Sequence, residues 1–262
     1  EDLSVLFNDR LKEGIIEWTY QQNPNRSVFM LDAIGDVYGW IFDRQQDINA
    51  LYKREAGGTD TFESVQAITG TGSNDELWFI ANRENGRRIE RLVNPSESVY
   101  DQCFVDSAVI TPTLGSTTLS GLPYADGTVL QVWNDGCPET DKTCTSGTIE
   151  LDYISEINVI VGKEFPASIH LQALEAPSGD GASRAKVKSV THFEIGFFNS
   201  LKGDYGYLGI DEEGIEQEAY YPYDPMGTDR IMNQTLGLSS EQWTLEVEGG
   251  HYKQIMPYIA RN

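Results

Sequence analysis

Residues able to do chemistry are few in this chain and widely spaced. Cys137 and Cys144 flank the polar loop GCPETDKTC, where a hairpin would bring two thiols into bonding range in an oxidising setting. The total of three cysteines is odd, which argues against a disulfide framework. Cys103, in DQCFVDS, reads as a small buried hydrophobe. His170, His192 and His251 lack ligand spacing to a cysteine pair, so no zinc site is expected. Carboxylates concentrate in DEEGIEQE as Asp211, Glu212, Glu213, Glu216 and Glu218. They offer oxygen ligands but miss the alternating D-x-D-x-D-G of a calcium loop, and read as a solvated turn. PSGDGAS has the glycines of a phosphate cradle without the following Lys-Ser/Thr, and reads as a flexible hairpin loop. Neither G-x-S-x-G nor H-E-x-x-H occurs.

Acid pairs for glycoside hydrolysis can be drawn from 41 Asp+Glu in so many ways that no single pairing carries weight. Trp18, Trp40, Trp78, Trp133 and Trp243 are candidates for stacking on sugars. Trp40 and Trp78 lie within strand patterns, where an indole is first a packing residue. With 19 Lys+Arg the formal net charge is −22, which excludes a nonspecific binder of phosphate backbones, since that needs basic patches that release counterions. No run nears the roughly 18 apolar residues that cross a bilayer, and Glu1-Asp2-Leu3-Ser4 has no basic signal-peptide opening. The missing initiator Met suggests a piece of something longer. No cofactor, metal or membrane insertion is expected.

The elements that must carry these residues are almost all strands. Leu3, Phe7 and Leu11 stand four apart between Asp2 or Ser4 as N-cap and Gly14 as stop, predicting one short N-terminal helix. Four strands follow over Gly14–Tyr20, Ser27–Ala33, Val37–Asp43 and Ile48–Arg54, separated by polar and Gly- or Pro-bearing turns, which describes an antiparallel meander. Three more are expected over Thr61–Gly70, Asp75–Arg83 and Arg87–Val93. Setting Val28-Phe29-Met30-Leu31 against Leu77-Trp78-Phe79-Ile80 gives a period of about fifty residues, that of one β-propeller blade. Two such units cannot close a propeller, which needs about four blades or more.

From Ala108 to Phe165 the texture turns to short Thr/Ser/Gly-rich strands, suited to a small antiparallel barrel or sandwich. Beyond Pro166 come a strand in ASIHLQALEA, a Gly-rich link, a long strand in RAKVKSVTHFEIGFFNS and two final strands around Trp243 and Ile255. The expected fold is therefore all-β. Blade-like meander sheets occupy residues 1–100, a small β-barrel or sandwich 101–165, and a further sheet region packing with the first 166–262.

The wording of the chain resembles a structural protein family of tailed bacteriophages. The landmarks are DLSVLFNDRLKEGIIEWTYQQNP, the aromatic strand running into FDRQQD, TFESVQAI, DELWFIANRENGRRIERL, VGKEFPASIHLQALE, GDGASRAKVKSV and DPMGT. The likeness is weakest from about Ala108 to Thr145, and Ile34-Gly35-Asp36 stands where the family has a D-G turn. The resemblance implies a β-propeller-containing tail nozzle or tail-tube component, with Ala108–Lys163 as a small barrel of the type first described in ubiquitin-activating enzymes. It implies no ubiquitin chemistry. It further implies a non-enzymatic ring homo-oligomer in the virion tail, assembled in the host cytoplasm, that joins portal or adaptor proteins to the distal tail and conducts DNA without binding it specifically. An acidic wall, drawn from the first two sheet units or from Asp211, Glu212, Glu213, Glu216 and Glu218, would repel phosphates over a screening length of about 8 Å. The alternative expectation is a receptor- or carbohydrate-binding tail module using Trp133, and a glycosidase stands third.

Overall fold

The computed structural model describes residues 10–24, 26–43, 45–46, 48–70, 74–93, 101, 103–112, 115–165, 167–171, 188–189, 191–200, 203–211, 214, 216–223, 239–246 and 251–261. These are strands and turns throughout. The helix expected at the N-terminus falls mostly on residues 1–9, outside the described residues; Arg10–Glu13 form a turn that Gly14 ends at φ +78°. The chain divides into two units, residues 1–165 and 166–262.

The first unit opens with the expected meander. Strands β1 (Ile15–Gln21), β2 (Ser27–Asp32), β3 (Val37–Asp43) and β4 (Ile48–Arg54) pair antiparallel in chain order. Strands β5 (Thr61–Thr69), β6 (Asp75–Arg83) and β7 (Gly86–Arg91) form a second antiparallel sheet. Alternation sends Phe29 and Leu31 of one sheet and Val65, Leu77, Phe79 and Ala81 of the other into one shared core. The β5 backbone is tied to β1 side chains as well: the Val65 and Ala67 amides donate to Glu17 Oε2 (3.0 Å) and Thr19 Oγ1 (3.0 Å). Gly39 has a packing role, since a Cβ there would lie 2.2 Å from Cζ of Tyr52, whose ring crosses the strand and meets Phe29 edge-on.

The fifty-residue echo survives as a repeat of sheet type and fails as a register. The alignment of Val28 with Leu77 sets outward residues against inward ones, because Phe29 and Leu31 face the core while Trp78 and Ile80 face away from it.

The rest of the first unit is β8 (Asp106–Pro112), β9 (Thr118–Ser120), β10 (Val129–Asn134), β11 (Cys137–Pro138), β12 (Lys142–Thr143), β13 (Thr148–Glu150) and β14 (Asn158–Lys163). They form a sheet ordered β11-β10-β14-β8, with β12 also on β10, and a separate β13-β9 ribbon. The two enclose a core of Leu119, Leu122, Leu130, Val132, Ile149, Leu151, Val159 and Val161. The sheets do not close into a barrel, which corrects the barrel expectation in favour of the sandwich. Among the described strands the ribbon hydrogen-bonds to itself alone.

In the second unit, β15 (Ala167–His170), β16 (Lys188–Ser189), β17 (His192–Ser200), β18 (Gly203–Asp211), β19 (Glu216–Tyr223), β20 (Ser239–Glu246) and β21 (His251–Arg261) give a sheet ordered β15-β21-β18-β19, with β16 also on β21, and a β17-β20 ribbon. Ile195, Tyr205, Tyr207 and Tyr223 form its core, and Phe197 stacks on Tyr223 at 3.8 Å between ring centres. The β18-β19 hairpin was missing from the expected elements, although alternate tyrosines mark both arms.

Candidate functional site

The densest constellation of charged groups is built around Arg83, the last residue of β6. Its parity matches Leu77, Phe79 and Ala81, so the strand carries a guanidinium into the interior, where its side chain is 3 % exposed. All five of its N–H groups are used. Nε donates to Glu90 Oε1 at 2.9 Å and one terminal nitrogen to Glu90 Oε2 and to Asp106 Oδ1 at 3.0 Å. The other terminal nitrogen donates to Asp106 Oδ2 at 2.5 Å and to Asp60 Oδ2 at 3.2 Å. Burial works against this charge, yet the hydrogen bonds of Glu90 and Asp106 outweigh it and raise the guanidinium pKa.

Each partner comes from a different element. Asp60 precedes β5, Glu90 lies on β7, Asp106 opens β8 and Lys163 closes β14. Lys163 donates to Asp60 Oδ2 at 3.0 Å. Two cations thus face three carboxylates, and neutral donors meet the excess: Gly57 N to Asp106 (2.8 Å), Glu84 N to Asp60 (3.0 Å) and Ser107 Oγ to Glu90 (3.2 Å). Alongside, Tyr124 holds its hydroxyl against the carbonyls of Ser107 (2.7 Å) and Val161 (3.0 Å), and burial raises its pKa.

This arrangement joins the β5–β7 sheet to the β8–β14 sheet. A guanidinium whose donors are all held by carboxylates has none to offer an anionic substrate, and the recess beside it, lined by Arg83, Arg88, Tyr124 and Lys163, holds about 10 Å³. That is the space of one water. Its chemistry is that of a clamp. A second fastening uses Asp135, at φ +48° in the β10-β11 turn. Its carboxylate accepts the amides of Glu156 (2.7 Å), Ile157 (2.8 Å) and Asn158 (2.9 Å) and the Ser155 hydroxyl (3.1 Å). Burial opposes its charge, but these donors outweigh burial and lower the Asp135 pKa.

The residues singled out from sequence do not converge. Cys103, Cys137 and Cys144 are thiols and form no disulfide in this structure. Cys144 packs in the sandwich core with Leu130 and Ile149, whereas Cys137 interacts with the Tyr153 hydroxyl, whose pKa is raised by burial and then by Cys137. The two sulfurs have different neighbours, and the bridge that the loop made possible is not formed in this structure. Trp133 is 6 % exposed and meets Phe104 edge-on at 5.7 Å, leaving no face for a sugar. Among the described side chains the exposed indole is Trp18, on β1. Trp40 and Trp78 sit half-buried on outward sheet faces, their indole N–H groups donating to Asn49 Oδ1 (2.8 Å) and Glu76 Oε2 (3.1 Å). Trp243 lies on β20 opposite Ile195.

Asp211 ends β18 opposite Tyr252; Glu216 and Glu218 are exposed on β19, while Glu212 and Glu213 lie outside the described residues. Among the described residues no group of three or more His, Cys, Asp or Glu is placed to hold a metal ion, and no helix is long and apolar enough to cross a membrane. The clamp escaped the sequence reading, although a charged residue at an inward position of an alternating strand was its signal. No family model matches the chain, and a search of curated proteins finds no relative.

Proposed function

We propose that this chain is a non-enzymatic structural protein of a bacteriophage tail, a nozzle or tail-tube component working in a ring that connects the portal to the distal tail. The observation that carries the reading is the pairing of two antiparallel meander sheets through one core, with apolar and aromatic side chains left on both outward faces. Antiparallel sheets packed through one core in this way would suit a stacked scaffold of the blade type. The five-donor clamp supports it, because a conduit wall under load needs its sheets fixed to one another, and Arg83 fixes two of them. A net charge of −22 suits a wall that DNA slides past. The test is genetic and chemical: peptides of this chain should appear in digests of purified virions, and phage lacking it should accumulate filled heads that cannot eject DNA. Its absence from purified particles would overturn the reading.

A further inference from the structure

Asn85-Gly86 is the one Asn-Gly pair in the chain, and it stands in the tight turn between β6 and β7. Gly86 adopts φ +108°, and a Cβ there would meet nothing within 4 Å, so no side chain shields the Asn85-Gly86 peptide on that side. Asn85 is exposed, and among the described residues its side-chain amide has no hydrogen-bond partner. Two Asp-Gly turns of the described chain share this backbone, with Gly127 at φ +88° and Gly136 at φ +79°. Each of them holds its carboxylate fast. Asp126 accepts the Ser146 amide at 2.5 Å, and Asp135 accepts three amides and a hydroxyl. Of the three turns, the one at Asn85 leaves its side chain able to swing its carbonyl carbon onto the next backbone nitrogen.

We propose that Asn85 is a site of spontaneous deamidation and that the change slackens the Arg83 clamp. The Gly86 nitrogen attacks Asn85 Cγ and gives up its proton; the Cγ–Nδ2 bond breaks, ammonia leaves and a succinimide closes. Water then opens the ring at either carbonyl, giving aspartate or isoaspartate. The attack is intramolecular, between groups already held side by side. Arg88 and Lys163 line the same recess as Asn85, and their charge favours first the deprotonated nitrogen and then the new carboxylate. The consequence follows from how the turn is fastened. The Glu84 amide donates to Asp60 Oδ1 at 3.0 Å and Arg83 pairs with Gly86 across the hairpin, so the length of the turn is set between clamp residues. Isoaspartate routes the main chain through the former side chain and adds a methylene there. The added length draws Glu84 off Asp60, and the clamp loses a donor.

The test is to age the full chain in mildly alkaline buffer, both folded and in urea, and to follow residue 85 by peptide mass and by isoaspartate content. In the folded protein Asn85 should convert to the acid before any other asparagine. Asn85→Gln, whose longer side chain closes a ring poorly, should abolish the isoaspartate. Aged wild type should melt about 2–4 °C lower, the shift that one lost hydrogen bond gives a unit of this size. Asn85→Asp carries the charge without the added methylene and should melt within about 1 °C of fresh wild type. Conversion of Asn85 in urea but not in the folded chain, or earlier conversion at another asparagine, would overturn the site. An aged protein that carries isoaspartate at position 85 and melts with the fresh one would overturn its link to the clamp.

Discussion

Arg83→Met removes the cation of the clamp and keeps its side chain apolar and of similar length. Three carboxylates then remain around the vacated position with Lys163, on Asp60, as their remaining cation, and Asp60, 2 % exposed, cannot turn to solvent. Breaking a buried ion pair from one side costs about 3–5 kcal/mol, a large part of the ~5–15 kcal/mol that stabilises a folded domain. For a unit of this size that lowers the thermal midpoint by about 6–20 °C. Arg83→Lys keeps the charge but offers three donors in place of five, so its loss should be about half as large. Urea unfolding followed by tryptophan fluorescence reads both, with unchanged denaturant dependence as the sign that stability alone moved. In an Asp106→Asn background the Arg83→Met loss should shrink by at least about 1 kcal/mol, because one of the stranded charges is already gone. An Arg83→Met protein within about 1 kcal/mol of wild type, or a loss equal in both backgrounds, would refute the clamp.

Three further outcomes follow from the same structure. Asp135 has a lowered folded pKa, so its stabilisation is present above its unfolded value of about 3.9 and fades as pH falls through the folded value; Asp135→Asn, which tolerates the same positive φ, should therefore lose stability at neutral pH and converge on the wild type as pH falls below about 4, flattening the acid limb. Trp133→Ala should cost about 3–5 kcal/mol as a buried indole, whereas Trp18→Ala should stay within about 0.5 kcal/mol, and calorimetry with soluble glycans should show no sugar binding that depends on Trp133. Thiol titration in denaturant without reductant should find all three cysteines reactive, with Cys144 protected in the native state; a single reactive thiol would mean that Cys137 and Cys144 are bridged.

The first seven strands were legible because their pattern and their turns agree. β3, β4 and β6 begin and end where alternation and the polar turns put them. Local pattern says which residues share a face but not which face finds a partner, and so Trp40 and Trp78 read as core although they look outward. Trp133 shows the converse, an apparent ligand platform that Phe104 covers from the preceding loop. The clamp depends on contacts between residues as far apart as Asp60 and Lys163, which no local spacing announces. The Cys137/Cys144 loop suggested proximity because the chain reverses there, but two short strands, β11 and β12, pair with opposite ends of β10 and send the sulfurs to different neighbours.

The central claim is a structural place in the tail, and labelling purified virions with gold-conjugated antibody against this chain tests it most directly. The account predicts label in a ring between head and distal tail on intact particles. Label scattered on the capsid, or no label on particles that infect normally, would contradict it.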